Sequence, residues 1–461
     1  MASLNSPDSS PPNISFSIRE TRKTTTTPTA TATSSTEAAA GRRFYRSSST
    51  KEPSFSQFPF TPPHLNNCPS LPQSFHNSPA TSPLHPASTT AAAPTKLSDL
   101  LISHRCVSSV LKKDGQILSI AIFNDILYTG SDSNLVRIWK LPDFTECGQL
   151  KTKASMAVAL QVSHDKVYAA YSDCKVRVWQ RNSDRGLKHL RLATIPATGN
   201  YVRSYISGKD KMTKHMGPIT SLAINISDDV LYSSSLDKSV KIWRVSDFKC
   251  VETIQAHSEP INAIIAADDG LLYTASDDAT VRVWRRNFSR SDRPTHSLVV
   301  TLPTKFSPVK TLSLATDSGL LYGGCSDGYL HFWLKGWFSG QLKYGGSLQG
   351  HTHAVMCLAT VGKYVVSGSA DTTCRVWARD EVDCQMHTCL AVLVGHRGPV
   401  RCVAAFSGSV SEEVVEEEAD DGCTICSGSL DGVLKVWRVT CTKNRTRNRS
   451  LQNGTEYSDV M

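Results

Sequence analysis

From about residue 105 to residue 440, apolar and polar positions alternate with the two-residue period of strands, in short runs separated by turn-forming residues. Around residues 261–302 the runs are INAIIAA, GLLYTAS, ATVRVW and HSLVVTL, which predict four antiparallel strands, the last two joined by the polar loop NFSRSDRPT. In the third strand the alternation places Val281 and Val283 on one face and Arg282 and Trp284 on the other. A long arginine stem there can cover the indole while its head reaches solvent.

The same phrase recurs along the chain. TGSDSNLVRIW ends at Trp139, AAYSDCKVRVW at Trp179, SSSLDKSVKIW at Trp243, TASDDATVRVW at Trp284, GGCSDGYLHFW at Trp333, SGSADTTCRVW at Trp377 and SGSLDGVLKVW at Trp437. The intervals of 40, 64, 41, 49, 44 and 60 residues define a propeller-scale repeat with two insertions. One such unit has too little core to stand alone, whereas radial stacking buries both faces of each small sheet. The expected fold is therefore an all-β, seven-bladed propeller over residues 96–440, with a disordered Ser/Thr/Pro-rich arm at 1–95 and a flexible basic tail at 441–461. After Trp437 the chain turns polar, while RCVSSVL at 105–111 resembles the outer-strand phrase KCVETIQ at 249–255. The N-terminal strand is thus expected to complete blade seven and close the ring.

These repeats resemble the WD40 family, although no blade ends in the literal Trp-Asp pair. The resemblance implies a structural network in which an aspartate six residues before the tryptophan joins a histidine, a hydroxyl and the indole. The matching residues are His215, Ser233, Asp237 and Trp243 in blade three and His257, Thr274, Asp278 and Trp284 in blade four. They are His351, Ser367, Asp371 and Trp377 in blade six and His396, Ser427, Asp431 and Trp437 in blade seven. Blade one keeps Thr129 but has Ser133 in place of the aspartate; blades two and five keep Asp173 and Asp327 but carry Ala169 and Gly323 in place of the hydroxyl. Those three blades also lack the matched histidine and are expected to depend more on inter-blade packing. Asp277 has no place in the network and is expected at the bc turn of blade four, on the face of the da and bc connections, where it could contact a partner if the extended connection after blade two does not cover it.

The formal charge of +9 is dispersed: +3 lies in residues 1–95, +2 in 441–461 and +4 over the long middle. No dense basic stripe marks a nucleic-acid groove. Fourteen scattered cysteines suit a reducing compartment. With no apolar run of membrane-spanning length and no hydrophobic signal core, membrane insertion and secretion are disfavoured, and cytoplasmic or nuclear residence is expected. In the arm, Arg42, Arg43 and Arg46 precede Ser47, Ser48 and Ser49, where phosphate would meet guanidinium groups.

Signals for chemistry are weak. No G-x-S-x-G elbow, phosphate-binding loop or HExxH helix is present. Cys423 and Cys426 have CxxC spacing but fall within one strand, and Cys384, His387 and Cys389 fall short of a tetrahedral set. The reading is a noncatalytic protein with no cofactor and no metal.

Contacts are sought where the ring departs from its period. Calling the strands of each blade a to d from the inside out, the da and bc connections share one face and the ab and cd connections the other. An insertion around 194–217 brings Tyr201, Arg203, Tyr205, Lys209 and Lys211 toward the face of Asp277; the alternative is a loop that packs over blade two. The acidic run SGSVSEEVVEEEADDG at 407–422 lies on the opposite face, either to attract a basic partner or simply to solubilise. Trp337 and Phe338, out of strand register in the cd loop of blade five, are either exposed contacts or caps on a sheet edge.

The preferred function is a scaffold or adaptor for a protein partner. The alternative is a nucleic-acid-associated propeller using the insertion and the basic termini. GQILSIAIFNDILYTGSDSNLVRIWK, NYVRSYISGK, FSPVKTLSLA and GYLHFW, with the Ser/Thr/Pro-rich arm, resemble plant members of the WD40 family. That resemblance implies a regulator in plant development or signalling, in pollen germination or tube growth.

Overall fold

The computed structural model describes residues 100–152, 155–182, 187–197, 213–287, 295–304, 307–336, 341–380, 383–407 and 421–443. These form seven four-stranded antiparallel sheets, and no helix occurs among the described residues. The architecture is the seven-bladed propeller expected from the repeat. Blade four consists of Ile261–Ala266, Leu271–Ser276, Thr280–Asn287 and Thr295–Pro303, in the order read from the alternation.

Seven apolar clusters join blade to blade, and alternation along the third strands builds them. Val281 and Val283 face blade five, packing with Val309, Leu312 and Trp333. Trp284, on the other face, packs with Tyr232, Val240 and Ile242 of blade three. Every registered tryptophan repeats this, lying against the preceding blade; Trp139 meets Cys426, Leu434 and Val436 of blade seven, which carries the packing around the full ring.

The ring also closes through hydrogen bonds. Leu100–Leu111 pairs antiparallel with Val433–Lys443 and is the outer strand of the last sheet. The polar residues after Trp437 extend the third strand rather than supply a fourth, so that strand passes the boundary placed at 440. Each of the seven inner strands has a register shift at its second residue, as at Thr220 between Ile219 and Ser221. This bulge recurs at one end of every blade, the end that carries the da and bc connections.

Candidate functional site

Four blades hold the network that the family resemblance implies. In blade three, Trp243 Nε1 donates to Ser233 Oγ at 2.9 Å, His215 Nε2 lies 2.8 Å from that oxygen, and His215 Nδ1 lies 2.9 Å from Asp237 Oδ2. In blade four, Trp284 donates to Thr274 at 3.1 Å, and His257 bridges Thr274 at 2.7 Å and Asp278 at 2.9 Å. His351 bridges Ser367 and Asp371, each at 2.8 Å, with Trp377 donating to Ser367 at 3.0 Å. His396 stands 2.8 Å from Ser427 and 3.2 Å from Asp431, and Trp437 donates to Ser427 at 2.8 Å.

One tautomer satisfies every group: the hydroxyl donates to Nε2 while Nδ1–H donates to the carboxylate. The order hydroxyl, imidazole, carboxylate is also that of a hydrolytic triad. Here it does different work, because Ser233, Thr274, Ser367 and Ser427 are all 0% exposed and their oxygens already receive an indole N–H. A nucleophile must reach its substrate, and these do not. The aspartates instead cap the adjoining turns: Asp278 accepts Ser258 N at 3.3 Å and Thr280 N at 3.1 Å.

Burial is the largest influence on His257, His351 and His396 and holds them below the ordinary histidine value, despite the opposing pull of their carboxylates. Burial alone would raise the carboxyls, but hydrogen bonds from Thr373, from backbone and from His351 outweigh it and hold Asp371 at about 2. Asp278 and Asp431 are lowered in the same way. Both kinds of group bind protons more readily in the unfolded chain. The depressed histidines therefore contribute fully above about pH 6.5 and lose that contribution as pH falls below it, and the carboxylates follow from about pH 4 downward. Urea midpoints at pH 8, 7, 5.5 and 4 should be level between the first two and then decline steadily. A midpoint that rises on acidification would contradict this assignment.

The three blades without the histidine carry other polar arrangements besides their inter-blade packing. In blade one Arg137 is held between Asp114 and Glu146, and Trp139 keeps its bond to Thr129 at 2.9 Å. In blade two the Asp173 carboxylate turns to Arg177, at 2.7 and 3.2 Å, and that guanidinium lies 4.3 Å over the Tyr171 ring. In blade five Gly323 leaves room for Trp333, since a Cβ there would stand 3.1 Å from the indole; Thr304 and Ser307 replace the missing imidazole with turn hydrogen bonds.

Sequence reasoning missed a second set of histidines. Tyr128 meets His189 at 2.9 Å, Tyr232 meets His296 at 3.1 Å and Tyr322 meets His387 at 2.9 Å, each joining the second strand of one blade to the outer strand of the next. A tyrosine one position before each hydroxyl register was the available signal. This also accounts for His387, which had been grouped with Cys384 and Cys389 as donors; no group of three metal-ligating side chains occurs among the described residues. Cys423 and Cys426 are buried on opposite faces of their strand, in the clusters toward blade six and blade one.

Asp277 lies at the bc turn of blade four, between Leu271–Ser276 and Thr280–Asn287. Its carboxylate accepts Asn262 Nδ2 at 2.8 Å and pairs with Lys310 of blade five. Both partners are bulge residues at the channel mouth on the da/bc face, an open funnel of about 200 Å³. Its two halves differ. Across blades three to five, Thr220 donates to Ile261 O at 2.7 Å, Asn262 also donates to Val309 O at 2.8 Å, and Lys310 is engaged by Asp277. Across blades six, seven, one and two, the ring presents Met356, Arg401, Leu118 and Val158, all partly exposed. Tyr201, Arg203, Tyr205, Lys209 and Lys211 lie outside the described residues, as do Trp337, Phe338 and the acids of 408–420.

The four blades holding the histidine network are also those that match a known family. The WD domain, G-beta repeat family matches residues 208–244, 248–285, 342–378 and 387–438. Those four segments are similar to WD40 repeats. The matched segments end in the third strands of blades three, four, six and seven, and the unmatched blades are those with substitute polar arrangements. The chain is 25% identical over 268 residues to WD repeat-containing protein AAC3 of Dictyostelium discoideum, covering 52% of this chain and 50% of that protein. It is 26% identical over 174 residues to zinc finger CCCH domain-containing protein 62 of Arabidopsis thaliana, covering 37% and 39%. To mitochondrial division protein 1 of Schizosaccharomyces pombe it is 24% identical over 148 residues, covering 31% and 22%. The chain thus spans half or less of each of these relatives.

Proposed function

We propose that this chain is a noncatalytic scaffold, a rigid WD40 ring that presents its da/bc face to protein partners. The observation that carries this reading is the burial of every matched hydroxyl in the four WD40 networks, which commits the serine, histidine and aspartate clusters to the fold. What remains available is surface, and fold alone assigns no chemistry to it. The insertion with Tyr201, Arg203, Tyr205, Lys209 and Lys211 and the bc turn of Asp277 are proposed to contact the partner, with Trp337 and Phe338 as contacts on the opposite face. The segments NYVRSYISGK, FSPVKTLSLA and GYLHFW resemble the plant WD40 protein JINGUBANG. On that resemblance the pathway is plant development or signalling, in pollen germination or tube growth, with residence in cytoplasm or nucleus.

Proximity labelling by the intact chain and by a variant with 194–214 replaced, both shown folded by circular dichroism, tests the interface. Loss of partners in the variant is expected; identical partner sets would count against the insertion. Salt-sensitive DNA or RNA binding abolished by Arg203, Lys209 and Lys211 substitutions would instead favour the nucleic-acid reading.

A further inference from the structure

We infer that the channel mouth holds an acidic peptide segment in which an aliphatic side chain neighbours a carboxylate, on the half of the ring formed by blades six, seven, one and two. This rests on the scaffold reading and adds the chemistry of what the scaffold binds.

The asymmetry of the mouth carries the argument. On the blade three to five half, each polar ring residue is already committed: Thr220 and Asn262 to backbone carbonyls of the following blade, Lys310 to Asp277. A ligand there would have to displace hydrogen bonds that join blades, at a cost in ring stability. On the other half three ring residues offer apolar surface, Met356, Leu118 and Val158, and nothing among the described residues pairs with the guanidinium of Arg401. Arg401 lies between Met356 on blade six and Leu118 on blade one. An unpaired guanidinium flanked by apolar side chains selects a planar anion, which it can hold bidentately, beside a nonpolar neighbour.

A carboxylate with an adjacent aliphatic group meets both requirements in one short stretch of peptide. Methionine adapts its shape to the side chain it receives, so the apolar subsite need not distinguish Leu from Ile or Val. The bulge at each inner strand's second residue is what directs these side chains into the mouth, so the site depends on the repeat architecture while its chemistry depends on four individual residues. The funnel of about 200 Å³ suits a side chain or two and is small for a cofactor-sized ligand.

The test uses the full chain and two fluorescein-labelled peptides with Gly/Ser flanks, one with a Glu-Leu-Glu core and one with a Gln-Leu-Gln core. Fluorescence anisotropy gives affinity, and spectra of the chain carrying carbon-13 methionine methyls give location. The acidic peptide is expected to bind and to shift the Met356 methyl. Its affinity should fall at least about tenfold in Arg401→Gln, in Met356→Ser and with the glutamine peptide. It should weaken between about 50 and 200 mM salt, and it should be unchanged in Thr220→Val, which alters the opposite half. Equal binding of the two peptides, retained affinity in Arg401→Gln, or no shift at Met356 would overturn the inference. Proximity labelling separates it from the reading beneath it. If the wild-type chain labels partners and folded Arg401→Gln/Met356→Ser labels the same ones, the peptide site is wrong and the scaffold stands. If the wild-type chain labels no partner, the scaffold reading itself fails.

Discussion

Removal of residues 100–112 is expected to collapse the whole ring, whereas removal of residues 1–90 should leave its melting transition in place. The strand Leu100–Leu111 supplies every hydrogen bond along the outer edge of Val433–Lys443, and Ile102 and Val110 pack on the clusters that join blade seven to its two neighbours. Without it the third strand of blade seven becomes an exposed edge, and the joint that seals blade one to blade seven loses cover. The loss should exceed the ~4–5 kcal/mol that marks the severe end of single-site changes. Thermal melts of the two truncations, followed by circular dichroism, decide the matter: similar behaviour would sink the closure argument.

The two adjacent aspartates of blade four should differ as sharply. Asp278→Ala strips the acceptor from the buried His257 Nδ1 and from the turn amides of Ser258 and Thr280. Leaving a buried imidazole donor and turn groups unsatisfied is expected to cost about 3 kcal/mol. Asp277→Ala removes a partly exposed pair with Lys310, whose side chains are 31% and 28% exposed, and such pairs contribute below about 1 kcal/mol. Urea unfolding of both variants measures the contrast. Equal losses would mean that the network does not stabilise blade four as assigned.

Most of the architecture was legible because strand alternation and the tryptophan register are local properties repeated seven times. The closing strand was legible for a similar reason, since RCVSSVL shares the pattern of an outer strand. The structural histidines His215, His257, His351 and His396 could be matched by family resemblance, but three other histidines could not. His189, His296 and His387 answer tyrosines on a neighbouring blade; the tyrosine register is visible in the sequence, but local spacing does not pick out a partner more than sixty residues away. The bc-turn position of Asp277 was legible, but its pairing was not, because Lys310 reaches it across a blade joint. The substitute networks of blades one, two and five show the limit of matching by register. With no histidine at that position in blade two, Asp173 turns to Arg177 on its own blade, a contact set by the folded turn.

The proposed interface lies chiefly on the da/bc face. Blade three tests it on a single sheet, because Leu236 is exposed on the bc turn and Ile226 is exposed on the ab turn at the opposite end. A photo-crosslinking amino acid at each position, in the full chain within cells, should give covalent partner adducts from position 236 and background from position 226. Adducts from position 226 with none from position 236 would contradict the account.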